Sequence, residues 1–123
     1  MNRSIDMMRY LLTRVVEDFG GKPYFIFKID GYGGTQLDKR VRYHFELLYD
    51  AGYIMVLNTN SEGYQCKITD SGYKFYEIIK DKKVYAEAKK MCKQKGEFNI
   101  GMLRLTIKYL RKKQQTEVSN EAT

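Results

Sequence analysis

Side chains suited to nucleic-acid contact gather at one place in this chain. Gln36, Lys39, Arg40, Arg42 and Tyr43 fall within one short stretch, "QLDKRVRY". On a helix, the apolar positions Leu37, Val41, Phe45 and Leu48 would share the inward stripe. Gln36, Lys39, Arg40 and Tyr43 then point outward, with Arg42 at the flank. Arg and Gln can bond two groups of a base edge at once, while Lys and Tyr can hold phosphates. The same face also reads as a solvated one, in which Arg42 pairs with Asp38 or Glu46.

A second set lies in "DKKVYAEAKKMCKQKG". Here Lys82, Lys89, Lys90 and Lys93, with Lys83, oppose Val84, Ala88 and Met91. With "RKK" at Arg111–Lys113, these lysines would grip a phosphate backbone or an acidic protein surface, or serve as a solvated outer face. Few aromatic residues interleave with them, so stacking on single strands is not indicated.

Other chemistry finds little footing. His44 is the sole histidine and lies beside the apolar stripe, where a packed, hydrogen-bonded imidazole is expected. No serine or cysteine pairs with it in a nucleophile motif, and no metal-ligand spacing exists. Cys66 and Cys92 stand far apart in unrelated contexts and are expected to be buried thiols in a reducing cytoplasm. "DGYGG" lacks the Gly-Lys-Ser/Thr that a phosphate cradle requires. No enzyme, cofactor or metal is expected. The tyrosines Tyr24, Tyr32, Tyr49 and Tyr64 would suit a protein interface if exposed together.

The net charge of +7 is unevenly spread. Between Lys80 and Lys113 there are 12 Lys/Arg against 3 acids, and the remainder carries 10 bases against 12 acids. The positive excess thus belongs to the C-terminal third, and the stretch around Arg40 is close to neutral. The 43% hydrophobic and 30% charged content is that of an ordinary globular domain. No apolar run approaches the roughly 20 residues that span a bilayer, and no signal-peptide plan is evident.

The elements that position these groups follow from periodicity. Ser4 caps a first helix whose stripe is Ile5, Met8, Leu12, Val15 and Phe19, widened by Leu11 and Val16, and Gly20-Gly21 ends it. A short strand is expected around Tyr24–Ile29, and a helix capped by Thr35 runs to a stop at Ala51-Gly52. Strands at Tyr53–Leu57 and Tyr64–Ile68 flank the turn "NTNSEG". A helix then begins at Thr69, Asp70 or Ser71, with Tyr73, Tyr76 and Ile79, or Phe75 and Ile78, available to the core. After the lysine-rich helix, a last one spans about Asn99 to Lys112. Its apolar set (Ile100, Met102, Leu103, Leu105, Ile107, Tyr109, Leu110) covers about half the circumference, wider than the roughly 100° stripe one core contact needs. A second packing partner, such as another copy of the chain, is the expectation.

"RVRYHFELLYDAGYI" resembles the winged-helix regulator pattern in which a helix ending HLxxLxxAGLI leads into the wing. "KITDSGYKFYEII" resembles the LTxxGxxFL return after the wing. Over nearly its full length the chain is also similar to a family of small uncharacterised phage and bacterial proteins, known only as a domain of unknown function. The residues concerned are "RSIDMMRYLL", "VRYHFELLYDAGYI", "ITDSGYKFYEIIKDKKVYAEAKK" and "GEFNIGMLRLTIKYLRKK". The resemblance implies a winged-helix-like fold and a phage or prophage origin, and no activity. Between Phe19 and Thr35, where a helix-turn-helix places its supporting helix, this chain has glycines, aromatics and a strand-like run.

The expectation is therefore an α+β, winged helix-like core over 1–80, a two-helix C-terminal extension over 81–113 packed on the same domain, and a disordered tail over 114–123. It would be a cytoplasmic phage protein that binds DNA in transcription regulation, with a homodimer through the last helix and no membrane contact. The alternative is a non-catalytic module that binds a host or phage protein.

Overall fold

The computed structural model describes residues 2–28, 35–60 and 63–121. Among these, the chain is α+β, with five helices and one three-stranded antiparallel sheet. It divides into two compact units, Met1–Glu77 and Ile78–Thr123.

The first unit opens with α1, Ile5–Phe19, whose N-cap Ser4 accepts a hydrogen bond from the Met7 amide through its hydroxyl. Ile5, Met8, Leu11, Leu12 and Val15 are buried, as their spacing requires of a helix with one apolar stripe. Strand β1, Phe25–Phe27, buries Phe25 and Phe27 and turns Ile26 outward, the alternation expected of a half-covered strand. Helix α2 spans Thr35–Asp50 and buries Val41, His44, Phe45 and Leu48. Leu37, expected on the same stripe, is instead 40% exposed, so the inward face of α2 begins at Val41. The cap assigned to Thr35, Tyr32, the "DGYGG" loop and the end of the first strand at Ile29 lie outside the described residues or side chains.

Strands β2, Ile54–Asn60, and β3, Gly63–Ile68, form a hairpin, and β1 joins the other edge of β3 to give the order β1-β3-β2. The β2–β3 register shifts between Val56 and Asn58, leaving Leu57 as the extra residue of a bulge. An aromatic column links the layers. Phe27 stacks on Phe45 at 4.1 Å between ring centroids, and Phe45 stacks on Tyr64 at 5.3 Å.

The two phrases resembling winged-helix regulators meet in space. Helix α2 ends with the Gly52 amide bonded to the Tyr49 carbonyl and the Tyr53 amide to the Leu48 carbonyl. Gly52 at φ +82° supplies the left-handed conformation that this stop needs. Thr69 then closes the junction: its hydroxyl donates to the Gly52 carbonyl at 2.6 Å and accepts from the Gly72 amide at 3.0 Å. That hydroxyl caps helix α3, Asp70–Ile79. Glycine is required at 72 because a Cβ there would run into the Tyr53 carbonyl. Tyr53 stacks on Phe75 at 4.5 Å. In α3 the buried pair is Phe75 and Ile79, one residue from each of the two sets the sequence offered.

The second unit contains α4, Lys82–Gln94, and α5, Ile100–Glu121. Asp81 caps α4, its carboxylate accepting from the Lys83 and Val84 amides at 2.9 and 3.1 Å. Val84, Tyr85, Ala88 and Cys92 are buried on α4, and Leu103, Ile107 and Leu110 on α5. At their seam the Cys92 thiol lies 3.6 Å from the Thr106 hydroxyl. Helix α5 continues to Glu121, well beyond the end expected near Lys112.

Candidate nucleic-acid interface

In the first unit the candidate contact residues lie on α2. Gln36, Lys39, Arg40 and Arg42 are exposed and Tyr43 is half-buried, its ring edge-on to the His44 ring at 5.1 Å. Arg42 pairs with Glu46 at 3.5 Å between two half-exposed side chains, an i,i+4 pair worth a few tenths of a kcal/mol, roughly 0.3–0.5. The exposed face of α2 is divided along its length. Its bases and Gln36 occupy the N-terminal half, and Glu46 and Asp50 the C-terminal half, where they rim a cleft of about 320 Å³ floored by Phe45, Val56 and Tyr64.

His44 fixes this helix against the start of α1. It has no exposed surface. The Ser4 amide donates to its Nε2 at 2.9 Å, and its Nδ1 lies 2.7 Å from the Arg40 carbonyl oxygen. One nitrogen must accept and the other donate, so the ring is the neutral Nδ1–H tautomer with both positions engaged.

The hairpin adjoining α2 offers little positive charge. Asn58 and Thr59 are exposed, Lys67 is the one base of β2 and β3, and Ser61 and Glu62 lie outside the described residues. Of the tyrosines considered for an interface, Tyr24 and Tyr49 are exposed, whereas Tyr64 is held half-buried in the aromatic column.

In the second unit α4 turns Lys82, Lys83, Lys90 and Lys93 to solvent, with Lys89 half-buried and Ala86 among them. The face opposite Val84, Ala88 and Cys92 is therefore cationic along the whole helix, about 16 Å from Lys82 to Lys93 at 1.5 Å per residue. Sequence reasoning missed Phe98. After α4 the Glu97 amide bonds back to the Cys92 carbonyl, and this return sets Phe98 beneath two lysines. The ammonium groups of Lys89 and Lys93 stand 5.7 and 5.9 Å from its ring centroid. Contact with the negative ring face holds both lysines in place at a cost of order 0.5–1 kcal/mol if the ring is removed.

No protein-family model, curated protein or solved structure matches this chain.

The distribution of charge separates the two units sharply. Met1–Glu77 holds 10 Lys/Arg and 10 Asp/Glu, whereas Ile78–Thr123 holds 12 and 5, the whole net charge of +7. Among the described residues no group of three or more His, Cys, Asp or Glu is placed to hold a metal ion, and no helix is long and apolar enough to cross a membrane. Both cysteines are buried and unpaired. Burial pushes the Cys66 thiol from 9.0 up to about 12, since a thiolate there would lose its hydration.

Proposed function

We propose that this is a small, non-catalytic winged-helix-type protein that binds nucleic acid, DNA foremost, in transcription control within a bacterial cytoplasm. The cationic face of α4 carries the reading: Lys82, Lys89, Lys90 and Lys93 lie along one side of a helix whose sole acid is Glu87. Such a row attracts a phosphate backbone without regard to sequence. Helix α2 would supply base contacts from its N-terminal half, the end by which groove-reading helices approach bases, through Gln36, Lys39, Arg40 and Tyr43. The winged-helix assignment draws on the element order from α1 to α3, on β1 pairing with β3, and on the junction that joins the two regulator-like phrases. A phage or prophage origin accords with the sequence resemblance.

The non-catalytic part of the proposal draws on His44, whose two ring nitrogens are both occupied by backbone groups. A protein-binding module is the second reading. It is favoured by the zero net charge of Met1–Glu77 and by Glu46 and Asp50 on the C-terminal half of α2, which would repel phosphates.

Fluorescence anisotropy with a random-sequence duplex tests the first reading, and selection from a randomised duplex pool tests base readout by α2. The nucleic-acid reading requires salt-sensitive binding that Lys90→Ala and Lys93→Ala weaken. Absence of binding at 50 mM salt leaves the protein-binding module in its place.

A further inference from the structure

Helix α5 carries a second ridge that its packing against α4 does not use. Leu103, Ile107 and Leu110 are buried, while Leu105 and Tyr109, one turn apart on the other side, are 65% and 57% exposed. Two large apolar side chains left in water at i and i+4 form a short continuous ridge, about 6 Å long at 1.5 Å per residue. Beside it runs a cationic ridge, Arg104, Lys108 and Lys112, at spacings of four residues. Leu105 and the cationic ridge line an open groove of about 460 Å³ together with Ile78 and Ile107, and Tyr109 stands outside that lining. The Arg111 guanidinium donates to the Ile78 carbonyl at 3.2 Å and ties the groove's walls together.

We propose that this groove docks an acidic amphipathic helix of a partner protein. The partner's apolar residues would cover Leu105 and Tyr109, and its carboxylates would face Arg104, Lys108 and Lys112. Parallel apolar and charged ridges at helical spacing are what a helix reads in a helix-lined groove. Charge complementarity selects this occupant over two others. A second copy would lay one cationic ridge against the other, and like charges at flanking positions oppose such pairing. A phosphate backbone would satisfy Arg104, Lys108 and Lys112 but leave Leu105 and Tyr109 in water. An acidic helix with an apolar stripe answers both ridges at once. This surface is separate from the lysine face of α4, so the inference stands apart from the nucleic-acid reading.

The test uses the full chain and a fluorescent 18-residue helical peptide with Leu at i, i+3, i+4 and i+7 repeats and Glu at the flanking positions. A peptide of the same composition with the pattern scrambled is the control. The patterned peptide should bind about tenfold or more tightly than the scrambled one, and the double variant Leu105→Ser/Tyr109→Ser should lose about tenfold in affinity. Lys108→Glu should weaken the acidic peptide while circular dichroism shows the helices intact. Lys90→Ala/Lys93→Ala, on α4, should leave peptide affinity unchanged. Equal binding of the two peptides, or indifference to Leu105→Ser/Tyr109→Ser, would overturn the proposal. A dimer by light scattering that this double variant dissolves would give the groove to a second copy. Duplex DNA that competes with the peptide and weakens in the same variant would give it to nucleic acid. Either outcome refutes the acidic-helix assignment.

Discussion

Replacing His44 by leucine should cost the first unit a definite share of its stability. The side chain is fully buried, so leucine of similar bulk opens little cavity, and the cost falls on the hydrogen bonds. The Ser4 amide loses its acceptor at 2.9 Å, and a buried donor without a partner costs about 1–3 kcal/mol. Its half-buried position places it toward the lower end of that range. The Nδ1 bond to the Arg40 carbonyl contributes about 1 kcal/mol more. Together these give a loss of roughly 2–3 kcal/mol, or about 10 °C in Tm for a chain of this length. Urea melts followed by circular dichroism would measure it. His44→Gln supplies an acceptor near the Nε2 position and should recover about half the loss. The reasoning fails if His44→Leu melts within about 0.5 kcal/mol of the parent, or if glutamine is no better than leucine.

Gly72→Ala should destabilise by about 1–3 kcal/mol, because its methyl group would collide with the Tyr53 carbonyl at the hairpin–α3 junction; a thermal melt that does not move would contradict that packing. The Cys66 thiol, raised from 9.0 to about 12, ionises first in the unfolded chain. Its contribution is complete below pH 9.0 and declines between pH 9.0 and about 12, by up to about 1.4 kcal/mol per unit. Urea midpoints of the parent should therefore fall more steeply over that range than those of Cys66→Val, and parallel curves would refute the burial argument. Arg40→Ala, at an exposed site, should change stability by less than about 0.5 kcal/mol. On a selected DNA site it should cost about 1–3 kcal/mol of discrimination against a single changed base pair, and equal loss on random DNA would demote Arg40 to a phosphate contact.

Most of the elements could be read from the sequence because their signals are local. Ser4, Gly52 and the α1 stripe act through neighbours three to five residues away, which periodicity captures. The Schellman-type stop at Gly52 was legible for the same reason. Two kinds of feature were not. Leu37 matches the α2 stripe in spacing, yet one turn at a helix's start can lie beyond the surface that covers the rest, and no residue pattern reports where that cover ends. The Thr69–Gly52 bond spans 17 residues and Phe98 reaches Lys89 and Lys93 only after a chain reversal; both depend on the path of the chain. Of the candidate interface, the lysine row on α4 was plain from charge and period, whereas the division of α2 into basic and acidic halves emerged once exposure was known. The wide apolar arc of α5 pointed correctly to a surplus face, and the cationic ridge beside it bears on what could cover that face.

The salt dependence of duplex DNA affinity tests the central claim most directly. With Lys82, Lys89, Lys90 and Lys93 on phosphates, log affinity should fall against log salt with a slope of about −4, or roughly 10²-fold between 50 and 200 mM. The variant with all four α4 lysines changed to alanine should lose most of that slope. A parent slope near zero, or a steep slope unaltered by those four substitutions, would contradict the account.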